Sequence, residues 1–345
     1  MHPNIFDLGF EDLHKLIVSW KEPEYRASQI WEGLYKNLWS TPEEFSNIPL
    51  PLRNRLTQAY RFSSLSPEKR LNSNDGHTTK FLFRLSDDTA IETVVMEYSD
   101  RITICISSQV GCGMGCSFCA TGNMGFSRNL SSGEIIEQVI KIAQDLDGNN
   151  KRLTNVVFMG MGEPFQNYQA VLSAIKTLNH PSGFGMGARR FTISTVGLVP
   201  GIKQFTEDNT QINLAVSLHA ADDDLRSSFM PINRKYGISE LMSTCDDYIN
   251  KTNRRVTIEW ALIDGVNDTS SQAKKLTKLV RNKLYHVNLI KLNPVKHYQG
   301  VPSAEENAKS FQKILIDAGV SCTIRLRRGI DISAGCGQLA SSVSN

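Results

Sequence analysis

The sequence predicts an α/β protein: a partial (βα)6 barrel with a small N-terminal helical domain and a connecting β-hairpin. Three observations predict it. Apolar, β-rich runs recur six times after residue 100, at ITICIS (102–107), TNVVFM (154–159), RFTIST (190–195), INLAVSL (212–218), VTIEWALI (256–263) and HVNLIKL (286–292). Polar turns follow them, and stretches of helical apolar spacing such as 131–146 and 271–282 separate them, the pattern of parallel strands joined by crossover helices. A length of 345 residues with 40% hydrophobic content is enough for one large core plus an appendage.

In chain order, residues 11–20 and 27–39 place apolar side chains at helical spacing, and PLPLRNRLTQAY (49–60) closes this segment after two prolines. A helical accessory domain over 1–62 follows. Residues 63–77 are polar and rich in turn formers, so a surface connection and a domain boundary are expected there. TTKFLFRL (78–85) and AIETVVMEY (90–98) flank a four-residue polar turn as a hairpin, which completes a linker and hairpin over 63–98. The barrel occupies 99–345, with SCTIRLRR (321–328) as a final strand or extension. In barrels of parallel strands the chemistry gathers at the carboxyl ends. Those ends here carry Cys112 and its neighbours, Gly160 to Pro164, Ser194 to Gly197, Ser217 to His219, and Asn293 with Pro294.

Composition narrows the class. The balance of 38 Lys and Arg against 35 Asp and Glu is nearly neutral. No apolar run approaches the roughly 18 residues of a membrane span, and residues 1–16 lack the features of a secretory signal, so a cytoplasmic, membrane-free protein is expected. Residues 271–330 depart from the average, with twelve Lys and Arg and three Asp and Glu. Such a stretch suits a polyanion, although most basic segments are solvated helix faces. The seven cysteines are too unevenly spread for a disulfide framework: four lie between Cys105 and Cys119, and Cys245, Cys322 and Cys336 stand alone.

Cys112, Cys116 and Cys119 form CxxxCxxC directly after the first barrel strand. Thiolates hold iron-sulfur clusters, and a 4Fe-4S cube bound by three cysteines keeps one iron open for a substrate or cofactor. Zinc is the alternative, but structural zinc takes four closed ligands and no His follows at zinc-finger spacing. Three buried structural thiols are a further one.

A three-cysteine loop after the first strand of a partial barrel resembles the radical S-adenosylmethionine (SAM) enzymes. Cys105, FMGMGEP (158–164), STVGLVP (194–200), VSLHA (216–220), MPINRKY (230–236), GVND (265–268) and GIDISAGCGQL (329–339) resemble, in order, the RlmN/Cfr family of radical SAM RNA adenine methyltransferases. The resemblance runs over nearly the whole chain. It implies a radical SAM barrel, a 4Fe-4S cluster on Cys112, Cys116 and Cys119, and two SAM molecules per turnover. In the mechanism the resemblance implies, Cys336 would first be methylated by one SAM, and a radical from the second would take hydrogen from that methyl group. The carbon then adds to adenine, joining protein and RNA. Glu92 matches the proton acceptor. Cys105 matches the thiol that attacks Cys336 and frees the RNA, leaving a transient disulfide. Gly162, Glu163, Ser194, Ser217, Leu218, His219 and Asn293 match SAM contacts.

Read without the family, a strand Glu is usually solvent-facing, a strand Cys is usually core, and His219 could be an interior histidine. Cys245 and Cys322 read as core. The resemblance implies 23S rRNA and a transfer RNA as substrates, methylated at C2 of adenine, and an electron-donor protein; a monomer is expected because no exposed heptad or apolar edge is evident. A target ring carbon inside a stacked helix is out of reach, so the adenosine must be flipped or unpaired. Lys274, Lys275, Lys278, Arg281, Arg325, Arg327 and Arg328 would then meet phosphates, as would Arg26 and Lys36 of the appendage. The rival branch of the family modifies C8, and RRVTIEWALIDGVND (254–268) resembles the C2 branch more, a family likeness and not a physical argument. A radical SAM activase of a protein partner and a non-catalytic zinc-bound RNA-binding module are the remaining classes.

Overall fold

The computed structural model describes residues 2–340. Helices α1 (Phe10–Ser19), α2 (Tyr25–Tyr35) and α3 (Leu50–Ala59) come first. Strands β1 (Leu65–Asn72), β2 (Thr78–Leu85), β3 (Ala90–Glu97) and β4 (Ile102–Cys105) follow, then the short β5 (Gln109–Gly111), α4 (Ala120–Met124) and β6 (Phe126–Asn129). From there helix and strand alternate: α5 (Ser132–Asp147), β7 (Asn155–Phe158), α6 (Tyr168–Asn179), β8 (Phe191–Thr195), α7 (Val199–Asp208), β9 (Asn213–Ser217), α8 (Asp223–Phe229), α9 (Ile238–Thr252), β10 (Val256–Leu262), α10 (Ser270–Val280), β11 (Tyr285–Lys291), α11 (Glu305–Asp317) and β12 (Ser321–Ile324). Among the described residues no helix is long and apolar enough to cross a membrane.

One sheet runs in the order β1-β2-β3-β4-β7-β8-β9-β10-β11-β12. The pairs from β4 through β12 are all parallel, whereas β1, β2, β3 and β4 pair antiparallel. The expected six parallel strands are present, and 321–324 supply the seventh. Their inward and outward residues are both covered, as in the consecutive Leu214, Ala215 and Val216 of β9 at 0% exposure, which is why they read as near-continuous apolar runs.

Two sequence expectations change. Residues 65–72, read as a surface connection, form β1, so the hairpin is a three-stranded meander continuous with the barrel sheet. Its residues Ser66 to Arg70 are exposed, and such a charged edge strand pairs on one side without apolar alternation to announce it. The second change is the small β5–β6 hairpin that brackets the cysteine loop, with the Cys112 N–H donating to the Gly125 carbonyl at 2.8 Å.

The N-terminal helices share the main core: Ile5, Phe6, Leu13, Ile17, Ile30 and Trp31 are all at most 1% exposed. Their polar tether is Glu137 on α5. Its carboxylate accepts from Asn4 Nδ2 at 3.1 Å and from the Ser64 N–H at 2.9 Å, and Ser64 Oγ donates to it as well. Burial pushes the Glu137 carboxyl above its ordinary range, against these donors. Glu137→Ala strands those buried donors, so a loss of about 2–3 kcal/mol in urea unfolding is expected, with the unfolding signal beginning in the N-terminal helices.

Candidate active site

The carboxyl ends of the parallel strands open into a cavity. Cys112, Cys116 and Cys119 line one side of it, and Gly162, Glu163, Ser194, Ser217, His219 and Asn293 line the rest with Cys336. Eleven of the thirteen sequence-predicted residues are thereby accounted for by this cavity or by the strand ends around it once Leu218 is added, because Leu218 is fully buried between Ser217 and His219. Leu218 does not face the cavity; its N–H donates to the Glu259 carbonyl at 3.1 Å and its own carbonyl accepts from Arg226 Nε at 3.0 Å. Cys105 and Glu92 lie elsewhere.

The turn after β7 is built by exclusion. Gly162 has φ +102°, and a Cβ there would sit 2.6 Å from Gln109 Cβ and 2.8 Å from the Gln109 nitrogen. The backbone next presents Glu163, which is buried, accepts from the Val196 N–H at 2.9 Å and the Phe165 N–H at 3.1 Å, and so locks β7's turn to β8's. Burial pushes its carboxyl up to about 7, opposed by the Val196 N–H, the Thr195 hydroxyl and the Phe165 N–H. Gly162→Ala is expected to lower SAM affinity at least about tenfold, read by equilibrium dialysis, because strand and turn must move apart.

The remaining motifs brace one another. His219 adopts φ +59°, and its Nδ1 accepts from the Ala261 N–H at 2.8 Å, so the ring proton sits on Nε2. Burial, with Arg226 nearby, pushes its pKa down to about 3, and the ring is neutral. Asn267 of GVND donates to the His219 and Ala261 carbonyls at 2.7 and 2.6 Å. Arg226, fully buried on α8, donates to the carbonyls of Val196, Ser217 and Leu218 and to Asn233 Oδ1 of MPINRKY. Composition offered no signal for Arg226, since an arginine in a short polar helix reads as solvated.

The C-terminal segment closes the site. Beyond β12 the chain crosses the sheet, and 329–340 pack against α4, β2, β3 and the end of β11. The Gly337 carbonyl accepts from the Ala120 N–H at 2.7 Å, the Leu339 carbonyl from Thr121 Oγ1 at 2.6 Å, and the Cys336 carbonyl from Asn293 Nδ2 at 3.1 Å. At Gly335 a Cβ would fall 2.6 Å from Asn293 Nδ2, so the loop depends on a bare backbone there. Cys336 also lines a second, narrower cavity that holds Cys105 at the end of β4. Cys105 is a free thiol like Cys336, and burial pushes it up to about 12, with Cys336 adding to the rise and Arg325 opposing it.

Glu92 borders neither cavity. It is buried on β3 behind the Cys336 loop, with Oε1 3.0 Å from Lys80 Nζ and Oε2 accepting from the Ala340 N–H at 2.9 Å. Burial raises its carboxyl, against Lys80 and the Ala340 N–H. The basic stretch is likewise divided. Lys275 on α10 pairs with Asp222 at 2.9 Å, whereas Arg325 and Arg327 turn to the Cys105 cavity, and Arg325 is therefore no open phosphate contact.

Residues 106–275 match the model of the Radical SAM superfamily, and residues 3–61 match the ribosomal RNA large subunit methyltransferase N-terminal domain. Fold and site together define a radical SAM methyltransferase. The solved structure of a radical SAM methyltransferase from Sphaerobacter thermophilus superposes with a TM-score of 0.95 and 45% identity, over 98% of this chain and 99% of that one. A probable dual-specificity RNA methyltransferase RlmN of Chloroflexus aurantiacus is 48% identical over 97% of this chain and 92% of its own length, and dual-specificity RNA methyltransferase RlmN 1 of Myxococcus xanthus is 44% identical over 99% and 95%. The chain belongs to the RlmN family of radical SAM RNA methyltransferases. Membership sets aside the zinc-bound module and the protein activase.

The family's cluster and SAM fit the residues present. Cys112, Cys116 and Cys119 are unpaired thiols lining the same cavity, where burial, and after it Cys119 and Cys112, push the Cys116 thiol up, and their donor set is the one an iron-sulfur cluster uses. They do not close into a single-ion site; among the described residues no three His, Cys, Asp or Glu side chains are arranged to hold one metal ion. Gly162, Glu163, Ser194, Ser217 and His219 would hold SAM.

Proposed function

We propose that this protein methylates C2 of an adenine in the peptidyl-transferase centre of 23S rRNA, and of an adenine beside the anticodon of transfer RNA, through a methyl group carried on Cys336. The observation that carries the reading is the double exposure of Cys336, to the three-thiol cavity on one side and to Cys105 on the other. When bound, the cluster and SAM supply methyl groups and a hydrogen-abstracting radical, with two SAM molecules used per turnover. The chain does the rest. The 329–340 loop holds the Cys336 sulfur at the mouth of the SAM cavity. Glu92 accepts the ring proton, and Cys105 releases the product by forming a disulfide with Cys336. The protein works in the cytoplasm as a monomer, served by an electron-donor protein.

Nucleoside mass spectrometry of 23S rRNA and transfer RNA from cells with and without the gene tests the activity. RNA carrying deuterium only at adenine C2 tests the position: loss of label on methylation supports C2, and retention assigns C8. Glu92 must be ionised to accept a proton, and burial raises its pKa, so kcat/KM should fall on acidification through a pKa above the ordinary Glu range. Glu92→Gln should lose activity and that acid limb together; an unchanged limb assigns the base elsewhere.

A further inference from the structure

The cavity between Cys105 and Cys336 carries a charge pattern that the resolving reaction has not explained. Its ionisable lining consists of Cys105, Cys336, Tyr98, Arg325, Arg327 and Arg328, with no carboxylate among them. Two of the arginines are engaged otherwise: Arg327 Nε donates to Asn293 Oδ1 at 3.2 Å, and the Arg328 guanidinium lies over the Tyr98 ring at 4.6 Å. Arg325 is held from behind, where its backbone N–H donates to the Leu289 carbonyl at 2.8 Å, and its Nη1 reaches Met159 Sδ at 3.9 Å, beside the thiols.

We propose that Arg325 is a positioning residue for the resolving step, a fixed cation that stabilises the Cys105 thiolate as it attacks Cys336. The proposal rests on the Cys336-carrier reading above. A buried thiol attacks only as thiolate, and burial disfavours that form unless a cation is placed against it. The groups facing Cys105 are the Cys336 thiol, which opposes its ionisation, and Arg325, which favours it. Arg325 is in turn held protonated, against its burial, by Cys336, by Glu259 on β10 and by Tyr98 just past the end of β3. Once Cys336 is a thioether it no longer ionises, so the opposing charge is gone when Cys105 must act.

In that step the Cys105 sulfur forms a bond to the Cys336 sulfur while the bond from Cys336 to the one-carbon group breaks. The electron pair leaves with the carbon, which takes up one proton to become the methyl group. The two cysteines are together oxidised by two electrons and the carbon is reduced by two. A dithiol reductant then restores both thiols.

The test follows the Cys105–Cys336 disulfide in anaerobically purified full-length protein whose Cys336 is shown by peptide mass to be unmethylated, since a methylated sulfur cannot form it. Diamide is the oxidant, and the linked peptides are quantified by mass spectrometry between pH 6 and 10. Arg325→Met should slow formation about tenfold at pH 7 and move the rate profile to higher pH, with the rate recovered at the alkaline end, and Arg325→Lys should restore most of the neutral-pH rate. A wild-type profile in Arg325→Met, or a loss that persists at every pH and is not rescued by Lys, overturns the role of Arg325 alone. Absence of the disulfide in the wild-type protein overturns the pairing of the two thiols, and with it the carrier reading.

Discussion

Cys336→Ala is expected to reduce RNA methylation by at least about a thousandfold while leaving iron content, sulfide content and SAM binding at wild-type levels. No other thiol reaches both places. Cys105 borders only the narrower cavity, Cys112, Cys116 and Cys119 border only the wider one, Cys245 is fully buried in α9, and Cys322 on β12 borders neither. The side chain removed is exposed, and the loop's contacts run through the carbonyls of Cys336, Gly337 and Leu339, so the fold should survive. Loss of cluster along with activity would instead make Cys336 a part of the metal site.

Cys105→Ala is expected to stop turnover at a different point. The carbon on Cys336 still reaches the RNA, but nothing attacks the Cys336 sulfur afterwards, so protein and RNA should remain joined. Gel analysis after one round of reaction should show a nuclease-sensitive band of increased mass, absent from Cys336→Ala and from the double variant. A small cavity at the end of β4 should cost only about 1 kcal/mol, too little to unfold the chain. Free, methylated RNA from Cys105→Ala at wild-type rates would remove Cys105 from the reaction.

The six parallel strands β4 and β7 to β11 were legible because none of their residues is exposed, which leaves long β-branched and apolar runs with polar turns between them. β1 was not, since an exposed edge strand built from Glu68, Lys69 and Arg70 has the composition of a loop. β5 and β6, at three and four residues, are too short to signal and are held by the cysteine loop they enclose. The cysteine triplet was readable from its spacing alone, and the strand-end residues from their motifs. The buried charges were not. Arg226 sits in a short polar helix, and Lys80 and Arg325 in strand-like runs where a lone charge reads as solvent-facing; only the folded chain shows Arg226 tying strand-end carbonyls together, Arg325 in one cavity with two thiols, and Lys80 against Glu92. Glu92 itself was reached through family resemblance, and its position behind the loop, outside both cavities, is information that no motif contained.

Growth of the expressing cells on methionine bearing a deuterated methyl group, followed by peptide mass spectrometry of the purified protein, interrogates the carrier most directly. A labelled methyl group on the sulfur of Cys336, lost when RNA is added and recovered there after renewed exposure to SAM, is the expected result. An unmodified Cys336 in protein that nonetheless methylates RNA, or label confined to another residue, would show that the one-carbon unit never passes through this thiol.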